Sequence, residues 1–215
     1  MSTFTFSKEE EVANSVTHGI GILFSIAALA GLTAFAAAHG TASHVTGVVL
    51  FGVSMMILYT SSTLLHALPH GKWKNVFEIL DHASIYFFIA GTYTPFLFIA
   101  VQGWLGWTLF GIVWGAAVLG TVLKCFFVKK YMFLSTIGYI ILGWQIVFAW
   151  EAISGFLPPS GMNLLILGGL LYTLGAVFYM WRAFKYHHAV WHLFVLAGTA
   201  AHVGAVMELL QTALG

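Results

Sequence analysis

Charge is scarce in this chain. Only 7% of its 215 residues are Asp, Glu, Lys or Arg, against roughly 25% in soluble globular domains, and that scarcity excludes an ordinary solvated surface. Cysteine is nearly missing: the single Cys125 rules out a disulfide within the chain and any cysteine-rich metal site. A metal would have to rest on histidine and carboxylate. Proline is limited to four residues, three of them in the turn signals Pro69-His70-Gly71 and Pro158-Pro159-Ser160-Gly161. No basic leader is seen: the first apolar run is approached through Ser7-Lys8-Glu9-Glu10-Glu11, so no cleavable secretory signal is expected. The last apolar run contains no lysine, which excludes a retinal Schiff base there.

What is present is apolar surface, with 60% of residues hydrophobic. Runs long enough to cross a bilayer, about 20 residues each, fall at roughly 16–38, 45–68, 78–101, 105–128, 132–153, 162–183 and 189–212. The chain therefore reads as an all-α, polytopic membrane protein, a bundle of seven transmembrane helices over 16–215 preceded by a short cytoplasmic segment at 1–15. Pro95 lies inside the third run and should kink it by freeing the Gly91 carbonyl. Gly111 and Gly115, and Gly198, Ala201 and Ala205, carry small residues at helical spacing and predict close helix packing.

Orientation follows from the cations. Lys8, Lys72, Lys74, Lys124, Lys129, Lys130, Arg182 and Lys185 all fall on one side of the predicted spans. The positive-inside rule makes that side cytoplasmic, with the N-terminus inside and the C-terminus outside. A multi-pass protein of the cell membrane is expected, with membrane lipid rather than nucleic acid as its substrate or ligand. Nothing in the sequence sets an oligomeric state.

Histidine is the polar residue that needs explaining. His188 and His192 are four apart, so their imidazoles share one face of the seventh span, where polar rings are costly without a purpose. Topology brings His66, at the end of span two, and Asp81, near the start of span three, to the same cytoplasmic depth. Three histidines with a carboxylate suit zinc, which in catalytic sites keeps an open coordination position. The expected ligands to Zn²⁺ are His66, His188 and His192, with Asp81 as general base or as an outer orienting group. Ser62, one turn deeper than His66 on the same face, either points at what His66 binds or bonds the carbonyl one turn back. His39 and His44 fall on the opposite side, and His70 reads as a loop residue. His82 points about 100° away from Asp81, and His187 is expected at the lipid headgroups. His202 lies about 15 Å deeper than His192, too far to join the ligands, and with no histidine at its level a bis-histidine haem is excluded. Glu11, Asn14 and His18 form a polar line leading into span one and are expected to cap or tether the inner mouth of the bundle.

Taken together, Glu11-x-x-Asn14-x-x-Thr17-His18, Ser62-x-x-x-His66, Asp81 and His188-x-x-x-His192 resemble the hallmarks of the hemolysin III proteins, within the progestin and adiponectin Q receptor family. The resemblance spans nearly the whole chain. It implies a seven-helix bundle with its N-terminus inside and zinc held by His66, His188 and His192, with Asp81 and Ser62 beside the metal. It also implies hydrolysis of a ceramide-type lipid amide or ester in membrane lipid homeostasis. Two other roles stay open at this point: membrane lysis through a pore, and lipid sensing around a structural zinc. The spans show no charged face to line a pore. The long N-terminal domain of the hormone receptors is not expected ahead of the first span, and hormone recognition is not expected with it.

Overall fold

The computed structural model describes residues 6–215; residues 1–5 of the expected N-terminal segment lie outside the described residues. The helices run in the order α1 (Lys8–His39), α2 (Ala42–Ala67), α3 (Lys72–Ile99), α4 (Gly103–Phe127), α5 (Met132–Gly143), α6 (Trp150–Phe156), α7 (Pro159–Met180) and α8 (His187–Leu214). A 3₁₀ segment, Trp144–Ala149, joins α5 to α6. Those three pieces together form one span, Met132–Phe156, and among the described residues seven helical spans are long and apolar enough to cross a membrane.

Several boundaries depart from the sequence reading. Span one starts at Lys8 rather than near residue 16. The reason is local: Ser7 and Glu10 form a capping box, with the Glu10 N–H donating to Ser7 Oγ and the Ser7 N–H donating to the Glu10 carboxylate, which satisfies two otherwise unpaired donors. At 32 residues the helix is about 48 Å long, well beyond the ~30 Å hydrocarbon layer. Its acidic first turns can therefore stand beyond the apolar layer.

Span three contains Pro95 yet remains one helix to Ile99. Span five contains no proline and is interrupted. Tyr93 accounts for the break: its hydroxyl lies 2.7 Å from the Gly143 carbonyl and 3.0 Å from that of Leu142, and it accepts from the Ile146 N–H at 2.8 Å. Irregular backbone at membrane depth persists where protein groups satisfy it.

Helices α1, α2, α3 and α8 pack around a core that includes Leu32, Phe51, Met55, Tyr59, Phe96 and Leu209. Elsewhere large apolar side chains face outward, among them Leu23, Phe126 and Phe148, each at least 70% exposed. A lipid environment is what makes such a surface stable. Gly198 packs on Tyr172, as small-residue spacing predicts. The expectation for Gly111 and Gly115 does not hold: neither has an atom within 4 Å of where a Cβ would stand. The packed face of α4 is instead Val113, Ala117 and Gly120, the last against the Tyr86 ring.

Candidate metal centre

The end of α2 and the starts of α1 and α8 meet where the triad forms. His66 lies in the last turn of α2, and His188 is the second residue of α8, just past Tyr186, whose left-handed backbone (φ 65°) turns the chain into the helix. The Tyr186 N–H donates to Glu10 Oε1 at 3.1 Å, so the capping box of α1 also fixes the start of α8. One imidazole nitrogen from each of His66, His188 and His192 lies within 4.8 Å of the others. Ring centroids are 5.1 Å apart for His66 and His188, 5.4 Å for His66 and His192, and 4.5 Å for His188 and His192. All three are buried.

Hydrogen bonds orient two of the rings for a metal. The His66 Nδ1–H donates to Glu11 Oε2 at 2.6 Å, leaving Nε2 buried with no hydrogen-bond partner. The Nδ1–H of His192 donates to the Asn14 carbonyl at 3.1 Å, with the Thr17 hydroxyl also 3.1 Å away, which makes its Nε2 the lone-pair nitrogen. Such outer contacts fix the tautomer and raise ligand basicity in histidine metal sites. Glu11 is itself held: its Oε1 accepts from Lys74 Nζ at 2.9 Å. Lys74 also donates to the Leu65 carbonyl at 2.7 Å and to that of Leu68 at 3.3 Å. The donor set is therefore three imidazoles, at least one with an orphaned ring nitrogen, and this set fits zinc.

The polar line on α1 does more than cap the bundle. Glu11 reaches His66, Asn14 offers its carbonyl to His192, and the His18 ring stacks on His192 at 3.5 Å and 13°. Both ring nitrogens of His18 and both side-chain amide atoms of Asn14 are buried without hydrogen-bond partners. The Glu11 pairing escaped the sequence reading because the partners are 55 positions apart. A signal was available in the acidic residue aligned with Asn14 and His18 on one helix face. Phe6 packs on the cluster, its ring 5.0 Å from that of His188 and 5.7 Å from that of His66.

Ser62 is fully buried, and its hydroxyl makes no hydrogen bond. The back-bond to the carbonyl one turn earlier is thus not the one this side chain makes. Asp81 stands outside the histidine cluster but in the wall of the cavity that His188 and His192 also line. Its Oδ2 lies 3.7 Å from His82 Nδ1. His82, set aside on angular grounds, also lines this cavity: its Nδ1–H donates to the Glu78 carbonyl at 2.8 Å, and its Nε2 lies 3.3 Å from the Tyr179 hydroxyl. His187 is buried rather than at the headgroups, its Nδ1 3.3 Å from the Phe178 carbonyl. The cavity holds about 130 Å³ and runs from Asp81 and His188 past Ile85, Phe88 and Val195 to His202.

A seven-span bundle whose cation-rich end gathers three buried histidines over an apolar cavity defines an integral membrane protein with a metal-competent centre. The profile of the family described as Haemolysin-III related matches residues 6–203, and the chain belongs to that family. It is 50% identical over 196 residues to the hemolysin-3 homolog of Bacillus subtilis (strain 168), covering 91% of this chain and 92% of that protein. It is 49% identical over 200 residues to hemolysin-3 of Bacillus cereus, covering 93% and 91% respectively. The human monocyte to macrophage differentiation factor is 29% identical over 170 residues, covering 75% of this chain and 69% of that protein, which agrees with the progestin and adiponectin Q receptor type. No solved structure matches the chain.

Proposed function

We propose that this protein is a zinc-dependent hydrolase of a membrane lipid amide or ester, with His66, His188 and His192 holding the metal. The observation that carries the reading is that two of the three clustered histidines, His188 and His192, line an apolar cavity whose wall also includes a carboxylate, Asp81. A structural zinc needs no such cavity, whereas an acyl chain does.

Zinc bound there would supply Lewis acidity, polarising an acyl carbonyl and making water a better nucleophile at neutral pH. The chain's own residues do the rest. Glu11 and the Asn14 carbonyl hold the His66 and His192 rings in place. The Asp81 carboxylate takes the proton released as water attacks and returns it to the leaving amine or alcohol. The Ser62 hydroxyl is a donor for the carbonyl oxygen as charge develops on it. Ile85, Phe88 and Val195 seat the acyl chain and keep bulk water away. Substrate would reach this site from the inner leaflet, the side that the positive-inside pattern of the cations assigns to the triad.

The test is release of fatty acid from acyl amides and esters in liposomes carrying the purified protein. The expected result is turnover that chelation removes and zinc restores; absence of release from every acyl lipid by zinc-loaded protein would overturn the reading. A second reading, membrane lysis, is favoured by the name of the Bacillus cereus relative. Dye leakage that rises with protein dose and ignores zinc removal would support it.

A further inference from the structure

Lys74 occupies a position that its own helix disfavours. It is the third residue of α3, whose first turn carries no acidic side chain, and a cation there opposes the positive end of the helix dipole. It is also only 4% exposed, a burial that lysine accepts only when paired. Its hydrogen-bond partners all belong to α1 and to the end of α2, so the reason for this residue lies outside α3.

The ammonium has three hydrogens and meets three acceptors. Two are backbone carbonyls at the end of α2, those of Leu65 at 2.7 Å and Leu68 at 3.3 Å. The helical donor to the Leu65 carbonyl would come from position 69, which is Pro69 and has no N–H. Lys74 supplies the missing donor, and a cation at a helix C-terminus is favoured by the dipole. Leu65 and Leu68 bracket His66, so the ammonium fixes the backbone that carries this histidine.

The third acceptor is Glu11, whose two oxygens are divided between two partners. Oε1 takes the ammonium at 2.9 Å, and Oε2 takes the His66 Nδ1–H at 2.6 Å. A half-buried carboxylate needs a counter-charge, and Lys74 provides it while setting which oxygen faces the ring. The His66 side chain is thus held through Glu11 and its backbone through Leu65 and Leu68, all from one lysine.

We propose that Lys74 is a positioning residue of the metal centre, gripping His66 at ring and backbone so that Nε2 is presented to the ion. The triad takes no ligand from α3, yet this grip makes metal retention depend on the start of that helix. The proposal rests on the zinc reading of the triad and is independent of hydrolysis.

Zinc affinity of the full chain in detergent, measured by competition with a calibrated chelator, tests it. Lys74→Met keeps the stem but removes charge and donors, and should weaken zinc binding by about 10-fold. Lys74→Arg keeps both and should regain most of that loss. Lys74→Met combined with Glu11→Gln should lose less than the product of the two single losses, because both act on one ring. Circular dichroism checks each fold; if Lys74→Met does not fold, Lys74→Gln takes its place with the same expectation. A second readout needs no metal: the downfield proton resonance of His66 Nδ1 in the metal-free protein, identified by its absence from His66→Ala, should move in Lys74→Met and stay in place in Lys74→Arg. Unchanged zinc affinity in Lys74→Met, or single losses that multiply, overturns the proposal while the zinc reading stands. If the unmodified protein takes up no zinc, the zinc reading fails; a resonance unmoved in Lys74→Met then overturns the grip on His66 as well.

Discussion

The two sides of this bundle are held together differently. On the side built by α1, α2, α3 and α8, side chains from separate helices are joined to each other: Glu11 to His66 and Lys74, His192 to Asn14, Tyr59 to Thr199 at 2.7 Å. On the side built by α4, span five and α7, helices turn much of their surface to lipid. In their apolar windows, 72% of α3 is buried but only 17% of span five. The links of Glu11, Lys74 and Asn14 lie beside the histidines, with Tyr59–Thr199 about two turns away, whereas the second side has mainly apolar packing and its broken backbone is satisfied by Tyr93 of α3. In a membrane, apolar contact with a helix is little better than apolar contact with lipid. Hydrogen-bonded side chains therefore specify the relative positions of helices, and several of them lie where two helices, α2 and α8, must present ligands to one point.

Substitutions can break this contrast, beginning with the linked side. Asp81→Asn should lower fatty-acid release by about 10²–10⁴-fold, the usual contribution of a positioned acid or base, while zinc content stays unchanged. Loss of zinc together with activity would make Asp81 a ligand instead. Next comes Glu11→Gln, which leaves α1 in place but weakens the support of His66. Zinc affinity should fall by about 10–100-fold, read by competition with a calibrated chelator; an unaltered affinity would reduce Glu11 to a tether.

The lipid-facing side should answer in stability rather than in metal binding. Gly120→Ala drives a methyl group into the Tyr86 ring and should cost about 1–3 kcal/mol. Tyr93→Phe leaves the carbonyls of Leu142 and Gly143 and the N–H of Ile146 without the hydroxyl, at a similar cost of about 1–3 kcal/mol. Both should be measured as reversible unfolding in detergent, and both should keep zinc. Gly111→Ala, with open space around it, should change stability by less than about 0.5 kcal/mol. A large effect there would mean that a second chain covers this face of α4.

Seven spans were legible because apolar runs of bilayer length leave little freedom in counting. The triad was legible as well: four-residue spacing pairs His188 with His192, and alternating topology returns His66 to their depth. The contacts that refine the site were not. Glu11 meets His66 across 55 positions, and no local pattern reports which residue on α1 faces α2. The break in span five was hidden for a related reason. Its cause is Tyr93, on another helix, while Pro95, the visible helix breaker, sits in a helix that continues past it. Backbone continuity in lipid depends on what neighbours can satisfy, which single-segment propensity does not contain.

The central claim is that His66, His188 and His192 bind one zinc ion per chain. Metal content of the purified protein measures it directly, alongside His66→Ala and His188→Ala variants shown to remain folded by their helical circular dichroism. One zinc per chain in the unmodified protein and its loss from each variant is the predicted result; stoichiometric zinc retained in both variants would contradict the account.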